Sequence, residues 1–463
     1  MRLFHVLWAG QAVSLIGSSV TAFSAGIWVY DQTGSPAAFT FMVLAATLPG
    51  IVLLPLAGAL VDRWDRRRAM LLSDAGTAAV TLVALILVST GMFAIWMVYV
   101  VAVLLSVFKA IQWPAFSALV AEIVPREHLS KANGRVGLAE AVGEVLGAVI
   151  AGSLYGVLGL RGLLLLDVLT FTAALGTMLW SLRRMPPPPA RERQAKLTGE
   201  LSAGWRYIRA RPGLSGLLLF FAVHNFGMQW VIVLVPPLVL SLAGAAAYGI
   251  VEAVGWAGMV LGGAVISVTR EPRHRIRAVL IVATVQAVLV VAMGAGHAVW
   301  TAAAGMFGIL AGYAVTNAVT ATLWQRKTPH EVQGRVFAVR RMIAWSAQPL
   351  AYATAGPLAQ YAATPLVDAG GPLHGTLGRV TGGGTAGGIA LVFLAAAPLL
   401  LGIVAFTALR PRVRLLEREL PDAPAPSPSP SPSPSPSPSQ SPSPSPSPSP
   451  SPEPSPEPQP AAA

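Results

Sequence analysis

The sequence predicts an all-α integral membrane protein of twelve transmembrane helices, arranged as two six-helix bundles and followed by a disordered C-terminal tail. Three observations predict this fold class: long apolar blocks, basic loops that alternate between two sides, and a short internal repeat. Apolar residues make up 54% of the 463 residues and charged residues 11%, against about 45–50% and about 25% in ordinary soluble domains. A water-soluble core could not bury so many apolar side chains.

The apolar residues fall into blocks of about twenty, a length that matches a hydrocarbon layer of about 30 Å at 1.5 Å per helical residue. The first block begins close to Met1 and lacks a small-residue cleavage site, so we expect a retained span and not a removed signal peptide. The predicted spans are residues 5–30, 38–61, 69–90, 94–121, 134–158, 162–182, 213–242, 246–269, 278–296, 299–325, 334–360 and 386–409.

Basic residues predict how these spans are oriented. Of the 32 Lys and Arg residues, 29 fall on the side of the N-terminus; only Arg161 and Arg379 fall on the other side, and Lys109 lies inside a span. Basic residues in short loops stay cytoplasmic. We therefore expect a multi-pass protein of the inner or plasma membrane with both termini in the cytoplasm. The net charge of +12 then reflects topology and contact with anionic membrane lipids, and no nucleic-acid partner is expected.

The chain divides into two halves. The predicted N-terminal bundle covers residues 1–182, a cytoplasmic linker 183–212, the C-terminal bundle 213–409, and the tail 410–463. In the linker, the Pro186–Pro189 run should be extended, and residues 198–210 could form an amphipathic helix on the membrane surface. The tail becomes a Ser-Pro alternation without apolar residues to bury, which is typical of disorder.

A four-residue repeat relates the halves. NGRV at 133–136 recurs as QGRV at 333–336, at the start of the fifth span of each half. Parallel repeats of this kind place a substrate cavity between the halves.

Several kinds of function have no support in the residues. The chain has no cysteine, so it has no disulfide framework and no thiolate metal site. It has no nucleotide-binding Gly-Lys-Ser/Thr loop and no nucleophile–base or metal-ligand constellation. We expect neither an enzyme nor a cofactor, and we interpret His224 and His297 as packing residues.

The loop between the second and third spans reads GALVDRWDRRR at 58–68. It resembles the Gly-x-Leu-x-Asp-Arg-x-Gly-Arg-Arg signature of the major facilitator superfamily. Asp65 replaces the second glycine of the pattern. The matching residues are Gly58, Leu60, Asp62, Arg63, Arg66 and Arg67.

The resemblance continues at 10–35, 112–125, 133–143 and 333–344. Together these segments are similar to the exporter branch that includes enterobactin and macrolide efflux proteins and transporters found beside nonribosomal peptide synthetases. The resemblance implies a secondary transporter that alternates access between its halves and exports its substrate, and we expect it to be monomeric. The mixture of amides and aromatic rings within the spans, with few fixed charges, indicates a bulky amphipathic small molecule as the substrate, such as a drug, a siderophore or a peptide-type metabolite. The fifth span departs from the antiporter motif because Gly147 is followed by Ala148 and not by proline.

The resemblance also implies a gate at the signature loop, where Asp62 faces the eleventh span. That span offers Arg340 and Arg341 as partners in the outward-open state, and Arg66 or Arg67 could meet Glu122 at the end of the fourth span. Alternatively, these residues are solvated loop charges.

Lys109 lies some 12–15 residues from either end of its span, roughly 18–22 Å deep at 1.5 Å per residue. Its side chain is too short to bring the ammonium group to the membrane surface. It should therefore pair with Glu144 on the next span or face a hydrated cavity, where it would offer a site for an anionic substrate.

Three carboxylates are candidates for proton coupling. Glu140 and Glu144 share one face of the fifth span, beside small residues that let another helix approach, and Glu252 lies in the eighth span. Neighbouring carboxylates in a low-dielectric groove disfavour double ionisation, which suits proton exchange. Alternatively, each is neutralised by Lys109 or by an arginine and never titrates.

Polar and aromatic residues in several spans could line the substrate cavity, although bundled helices also use such residues as interhelical contacts. The candidates are Gln11, Ser14, Trp113, Asn225, Gln229, Asn317 and Gln348. Two other interpretations stay open: an importer or facilitator of the same fold, and a non-transporting membrane sensor or scaffold. The ionisable residues within spans argue against the sensor because their insertion is costly.

Overall fold

The computed structural model describes residues 1–184, 198–270, 272–296 and 298–422. Within these ranges all regular secondary structure is helical. The Pro186–Pro189 run, His297 and most of the Ser-Pro tail lie outside the described residues. The α-helices are α1 (Arg2–Thr33), α2 (Pro36–Arg63), α3 (Arg66–Ser89), α4 (Ile95–Ile123), α5 (Leu129–Leu182), α6 (Thr198–Arg209), α7 (Pro212–Val268), α8 (Arg275–Ala295), α9 (Val299–Lys327), α10 (His330–Pro357), α11 (Thr364–Val367), α12 (Leu377–Thr381), α13 (Gly384–Leu409), α14 (Pro411–Arg414) and α15 (Leu416–Glu419).

Nine helices of the described chain are long and apolar enough to cross a membrane. Two of them, α5 and α7, contain 54 and 57 residues, more than twice the length of about 20 that one crossing needs. Each is broken into two arms at one glycine, Gly159 (φ 58°, ψ −174°) and Gly244 (φ 77°, ψ −169°). This backbone region is essentially restricted to glycine.

Helix α10 completes the twelve spans. Its 28 residues are long enough, but three arginines lower its hydropathy. The predicted twelve-helix fold is confirmed, and the predicted span ends lie within five residues of the observed ones except for the eleventh, whose helix continues through a π-helical segment, Leu358–Ala363, to Val367.

Short, capped connections make neighbouring helices antiparallel. α1 ends at Gly34, whose φ of 59° is left-handed, and the Ser35 side chain accepts a hydrogen bond from the backbone N–H of Ala38 at the start of α2. The Asp65 carboxylate caps α3 in the same way by accepting from the N–H of Arg67 at 3.0 Å.

The helices form two halves. In the first half α1 packs on α5, and both α2 and α3 pack on α4; in the second half α9 and α13 both pack on α7 and α8. Between the halves, α5 packs on α7 and α10 packs on α2. We call the end of the molecule that carries the basic segments 63–68, 126–135 and 326–335 the basic end, and the other the opposite end.

At the opposite end the halves approach closely where α5 crosses α7. A Cβ atom on Gly249 would lie 2.6 Å from the carbonyl oxygen of Ala148. A Cβ atom on Gly152 would lie 2.8 Å from the carbonyl oxygen of Ala245. Only glycine allows this backbone contact, because any side chain would separate the two helices.

A second contact at the opposite end joins α2 to the end of α10. A Cβ atom on Gly356 would lie 2.6 Å from the carbonyl oxygen of Pro36. One turn further along, Gln360 Oε1 accepts hydrogen bonds from the hydroxyl of Ser35 at 2.5 Å and from the N–H of Ala37 at 3.2 Å. Both contacts hold the halves together at this end.

Helix α6 occupies the predicted amphipathic segment of the linker and packs on the second half. A Cβ atom on Gly204 would lie 2.4 Å from the carbonyl oxygen of Arg335. The Tyr207 hydroxyl donates to the carbonyl oxygen of Lys327 at 3.0 Å.

The structure corrects the predicted start of the disordered tail, which was placed too early at residue 410. Helices α14 and α15 pack on the second half, and Val413 is 4% exposed. The Lys327 ammonium group donates to the carbonyl oxygen of Glu417 at 3.1 Å and lies 2.8 Å from Asp422 Oδ1. These contacts fold the chain as far as Asp422, since apolar residues still alternate with charges up to that point.

Candidate functional site

A cavity of about 810 Å³ lies between the first half and the second arm of α7. Its volume lies within the range of about 300–1,000 Å³ that is usual for small-molecule sites. Its walls are largely apolar and include Phe23, Phe39, Met42, Val43, Leu105, Phe116, Leu164, Trp256 and Met259. We call it the N-half cavity.

Ionisable groups enter this apolar cavity from α4 and α5. Lys109 and Glu140 are exposed in it, and Glu144 is half-buried in its wall. Glu252 of α7 lies behind the wall, only 8% exposed and within electrostatic range of Glu144. The three candidate carboxylates therefore form a series of increasing burial that leads from the cavity into the contact between α5 and α7.

Small residues on α5 bring this series close to α1. A Cβ atom on Gly147 would lie 2.4 Å from the Cβ atom of Ser19, and one on Gly143 would lie 3.6 Å from the Cβ atom of Leu15. The predicted small-residue face of α5 is thus covered by α1, which fixes how α5 presents its carboxylates.

Lys109 does not form an ion pair with Glu144 in this structure. Among the described residues, neither takes part in an ion pair, although the charge of Lys109 acts on Glu144. The two side chains line the same cavity. The predicted pair is therefore not formed in this conformation, and a role for Lys109 in coupling or in substrate binding stays a prediction.

The second half contains a separate cavity of about 280 Å³, which we call the C-half cavity. Four of the seven candidate cavity residues line the C-half cavity, whereas Gln11, Ser14 and Trp113 line the N-half cavity. The four residues are Asn225, Gln229, Asn317 and Gln348.

Arg340 and Arg341 also line the C-half cavity. The guanidinium group of Arg341 stacks 4.0 Å from the ring of Trp345 and lies 5.8 Å from the ring of Trp113 in the first half. The two cavities therefore approach each other at Trp113, which is 49% exposed.

The family model of the Major Facilitator Superfamily matches residues 7–352 of this chain. The chain belongs to this superfamily. The fold and the cavity between its halves are those expected of a facilitator-superfamily transporter.

Facilitator-superfamily proteins of similar sequence include exporters. Macrolide efflux protein A of Streptococcus pyogenes is 26% identical over 355 residues, which cover 75% of this chain and 87% of that protein. YfiS of Bacillus subtilis, an uncharacterized MFS-type transporter, is 24% identical over 371 residues, which cover 77% of this chain and 86% of YfiS.

Solved facilitator-superfamily structures are similar in fold. A bacterial homolog of the human lysosomal transporter Spinster, in an inward-facing and occupied conformation, has a TM-score of 0.64 at 15% identity over 88% of this chain and 95% of that one. The nucleoside transporter NupG has a TM-score of 0.62 at 11% identity, with 88% and 99% covered.

The superfamily's signature loop lies at the basic end, between α2 and α3. Two of the three arginines after Asp65 contact Glu122 of α4: Arg67 at 3.1 Å and Arg66 at 3.6 Å. Arg66 also donates to the carbonyl oxygen of Ala118 at 3.2 Å. These contacts tie α3 to the end of α4 within the first half.

The remaining gate residues are only partly described. The side chains of Asp62 and Arg63 lie outside the described part of the chain, as does the surface of Gly58. The contact between Asp62 and α10 therefore stays a prediction.

Sequence reasoning missed two buried aspartates. Asp74 of α3 is fully buried and accepts hydrogen bonds from the side-chain amides of Gln11 at 2.9 Å and Gln112 at 2.6 Å. Asp167 in the second arm of α5 is 1% exposed and accepts from the hydroxyl of Thr21 at 2.6 Å. The signal was present, since each is an acidic residue inside an apolar block.

His224 was interpreted as a packing residue, and the structure gives it a polar setting. It is 5% exposed, it lines the C-half cavity, and its Nε2 atom lies 3.1 Å from Gln286 Oε1. Its Nδ1 atom has no partner among the described residues.

Proposed function

We propose that this protein is a secondary active transporter that expels a bulky amphipathic small molecule across the inner or plasma membrane by alternating access, driven by protons. The observation that carries the proposal is the N-half cavity, a largely apolar space of about 810 Å³ with ionisable groups in its wall. The two halves hold together at the opposite end, so a solute would enter from the basic end.

The basic end is the cytoplasmic end in this proposal. The basic loops lie there, and the positive-inside rule assigns such loops to the cytoplasm. The conformation described is then inward-facing, with the contacts at Gly249 and Gly356 as the closed outer gate.

Proton coupling is assigned to the carboxylate series. Glu140 is exposed in the cavity and Glu252 is buried between α5 and α7, with Glu144 between them in burial. A proton taken up from the cavity would remove one of several neighbouring negative charges. Because α5 and α7 belong to different halves, that change acts on the contact which must open. Each charge that moves with the membrane potential supplies about 2.3 kcal/mol per 100 mV.

The gate is assigned to the signature loop. Glu122 holds Arg66 and Arg67 in the inward-facing state, and Asp62 is proposed to meet Arg340 or Arg341 when the basic end closes. Asp62→Asn should then slow transport, and transport at the wild-type rate by this variant would exclude the gate.

Transport is tested in sealed proteoliposomes that contain the purified protein, a proton gradient and a trapped pH dye. One probe is a radiolabelled macrolide, because the related protein is named a macrolide efflux protein. The others are two amphipathic fluorescent molecules, N-dansyl-leucine and its uncharged amide. Gradient-driven movement of at least one probe is expected, and no movement of any probe would reject transport. Accumulation of the labelled solute inside energised cells, in place of its loss from them, would identify an importer.

Coupling is tested in the same vesicles with Glu140→Gln, Glu144→Gln and Glu252→Gln. At least one variant should lose substrate-driven proton flux. Glu127→Gln, a change at an exposed residue in the turn before α5, is the matched control and should retain it. Intact proton flux in all three variants would exclude this series.

A further inference from the structure

The C-half cavity combines two arginines with unpartnered polar groups. Among the described residues that line it there is no aspartate or glutamate, and neither Arg340 nor Arg341 forms an ion pair there. Arg340 lies 5.7 Å from the ring of Trp324 and interacts with Tyr313 of the same cavity, and Arg341 lies 4.0 Å from the ring of Trp345. Arg340 is half-buried and Arg341 is exposed, and a charged side chain within a span is costly to insert unless it has a partner or faces a cavity.

Two further buried groups in the same wall lack partners. The Nδ1 atom of His224 and the hydroxyl of Thr316 are buried and form no hydrogen bond among the described residues. Their side chains are 5% and 8% exposed, and both residues line the cavity. Buried polar groups are normally satisfied, so the cavity is built for a polar occupant.

The size of the cavity limits that occupant to part of a larger molecule. About 280 Å³ is at or below the small end of ligand pockets, about 300–1,000 Å³. Amide side chains of Asn225, Asn317 and Gln348 add neutral polar groups to the wall. Planar guanidinium groups bind carboxylates in two-pronged geometry.

We infer that the C-half cavity binds the carboxylate of the transported molecule through Arg340 and Arg341, while the apolar body of that molecule occupies the N-half cavity. Trp113 and Arg341 stand where the two cavities approach each other, which suits a substrate that spans both. The inference rests on the proposed transport function and narrows it to amphipathic carboxylic acids. Carboxylate binding is a different role from gating. The proposed gate pairs these arginines with Asp62 only when the basic end closes, whereas substrate binding uses them in the inward-facing conformation.

The test measures binding without a gradient, in nanodiscs of phosphatidylcholine, by the fluorescence of two matched probes. N-dansyl-leucine carries a carboxylate, and N-dansyl-leucinamide has the same body without the charge. Wild-type protein should bind the acid at least about tenfold more tightly, as expected for charge-assisted hydrogen bonds. Equal affinity for the acid and the amide would overturn the inference.

Substitutions test whether the arginines cause the preference for the acid over the amide. Arg341→Gln and Arg340→Gln should each reduce the ratio of acid to amide affinity several-fold and together bring it to about one. Arg341→Lys should retain part of it. Arg335→Gln removes an arginine of α10 outside the cavity lining and should leave the ratio unchanged. Amide binding reports that each variant is folded, and a ratio that survives the double change would overturn the inference.

An added lipid arm separates a solute carboxylate from an anionic lipid headgroup, which the same arginines could bind. Acid binding should be unchanged in nanodiscs that contain phosphatidylglycerol, and its loss there would assign the site to lipid and overturn the inference. Failure of transport is distinguishable, because a protein that binds the acid selectively and moves no probe would reject the proposed function alone.

Discussion

The contact between Gly249 and Gly152 at the opposite end makes a sharp prediction about the conformational equilibrium. Gly249→Ala adds one methyl group where α5 and α7 touch through their backbones. A Cβ atom there would lie 2.6 Å from the carbonyl oxygen of Ala148, and ordinary van der Waals contact begins at about 3.4 Å. The helices would have to separate by 0.8 Å locally, so the variant disfavours the conformation in which this end is closed.

The magnitude follows from the cost of overpacking, about 1–3 kcal/mol for one added methyl group. If the open conformation does not incur this cost, its population rises by about five- to 150-fold. The rise is largest if the open conformation is rare in the wild type.

The natural sequence has no cysteine, so a single introduced cysteine reports access without background. Met42 lines the N-half cavity and is 6% exposed. In Met42→Cys protein in intact cells, an impermeant maleimide should label residue 42 slowly. Addition of Gly249→Ala should raise the labelling rate at least about fivefold, in proportion to the open population.

Gly156→Ala is the matched control, because it lies one turn beyond Gly152 on α5 and a Cβ atom there would meet nothing within 4 Å. Met42→Cys protein that also carries Gly156→Ala should be labelled at the rate of Met42→Cys alone. Equal rates for Gly249→Ala and Gly156→Ala would refute the reasoning that the glycine contact holds this end closed.

Three further predictions concern stability. Glu122→Gln removes the charged partner of Arg66 and Arg67, so it should lower the free energy of unfolding by about 1–3 kcal/mol, measured in mixed micelles, whereas Glu127→Gln should change it little; equal values would contradict the role of the contact. Asp74→Asn places an amide donor against the amides of Gln11 and Gln112 and should destabilise the protein, and the added change Gln112→Glu should recover part of the loss; no recovery would contradict the hydrogen bond. The hydrogen bond from Lys327 lowers the pKa of Asp422 below its ordinary value, so its stabilising contact is fully present above the unfolded pKa of about 3.9 and is lost as pH falls through the lower folded pKa. The protection factors of α14 and α15 in hydrogen exchange, which are corrected for the pH dependence of intrinsic amide exchange, should fall over that acidic range in the wild type and fall less in Asp422→Asn, and identical pH profiles of the two proteins would contradict this assignment.

The spans could be predicted from the sequence because a membrane leaves a strong physical signal. An apolar block of about twenty residues has one stable solution in lipid, and the basic loops fix the count. The breaks within α5 and α7, at Gly159 and Gly244, also fall at the predicted gaps between spans. The end of the ordered chain was placed too early, because the contacts of Lys327 with the C-terminal segment depend on tertiary structure.

The candidate site could be predicted only in part. Sequence gives the depth of a residue along its span, but not the rotation of that span relative to its neighbours. Gln11 and Asn225 lie at similar depths in corresponding spans, yet they line different cavities. Asp74 was missed although the rule applied to Lys109 covers it equally, since an ionisable group within a span is a functional candidate.

At the opposite end, the breaks at Gly159 and Gly244 join the two arms of α5 and of α7 without a loop, which leaves little exposed chain for another macromolecule to bind. With α1 and α2 joined by Gly34 and Ser35 alone, that face presents very little protruding chain. In the described part of the molecule, the longest connection on that face is the stretch from α11 to the start of α13, at 364–383. An antibody fragment raised against intact cells should therefore bind mainly to this stretch. Such a fragment would be suited to holding the transporter in one conformation.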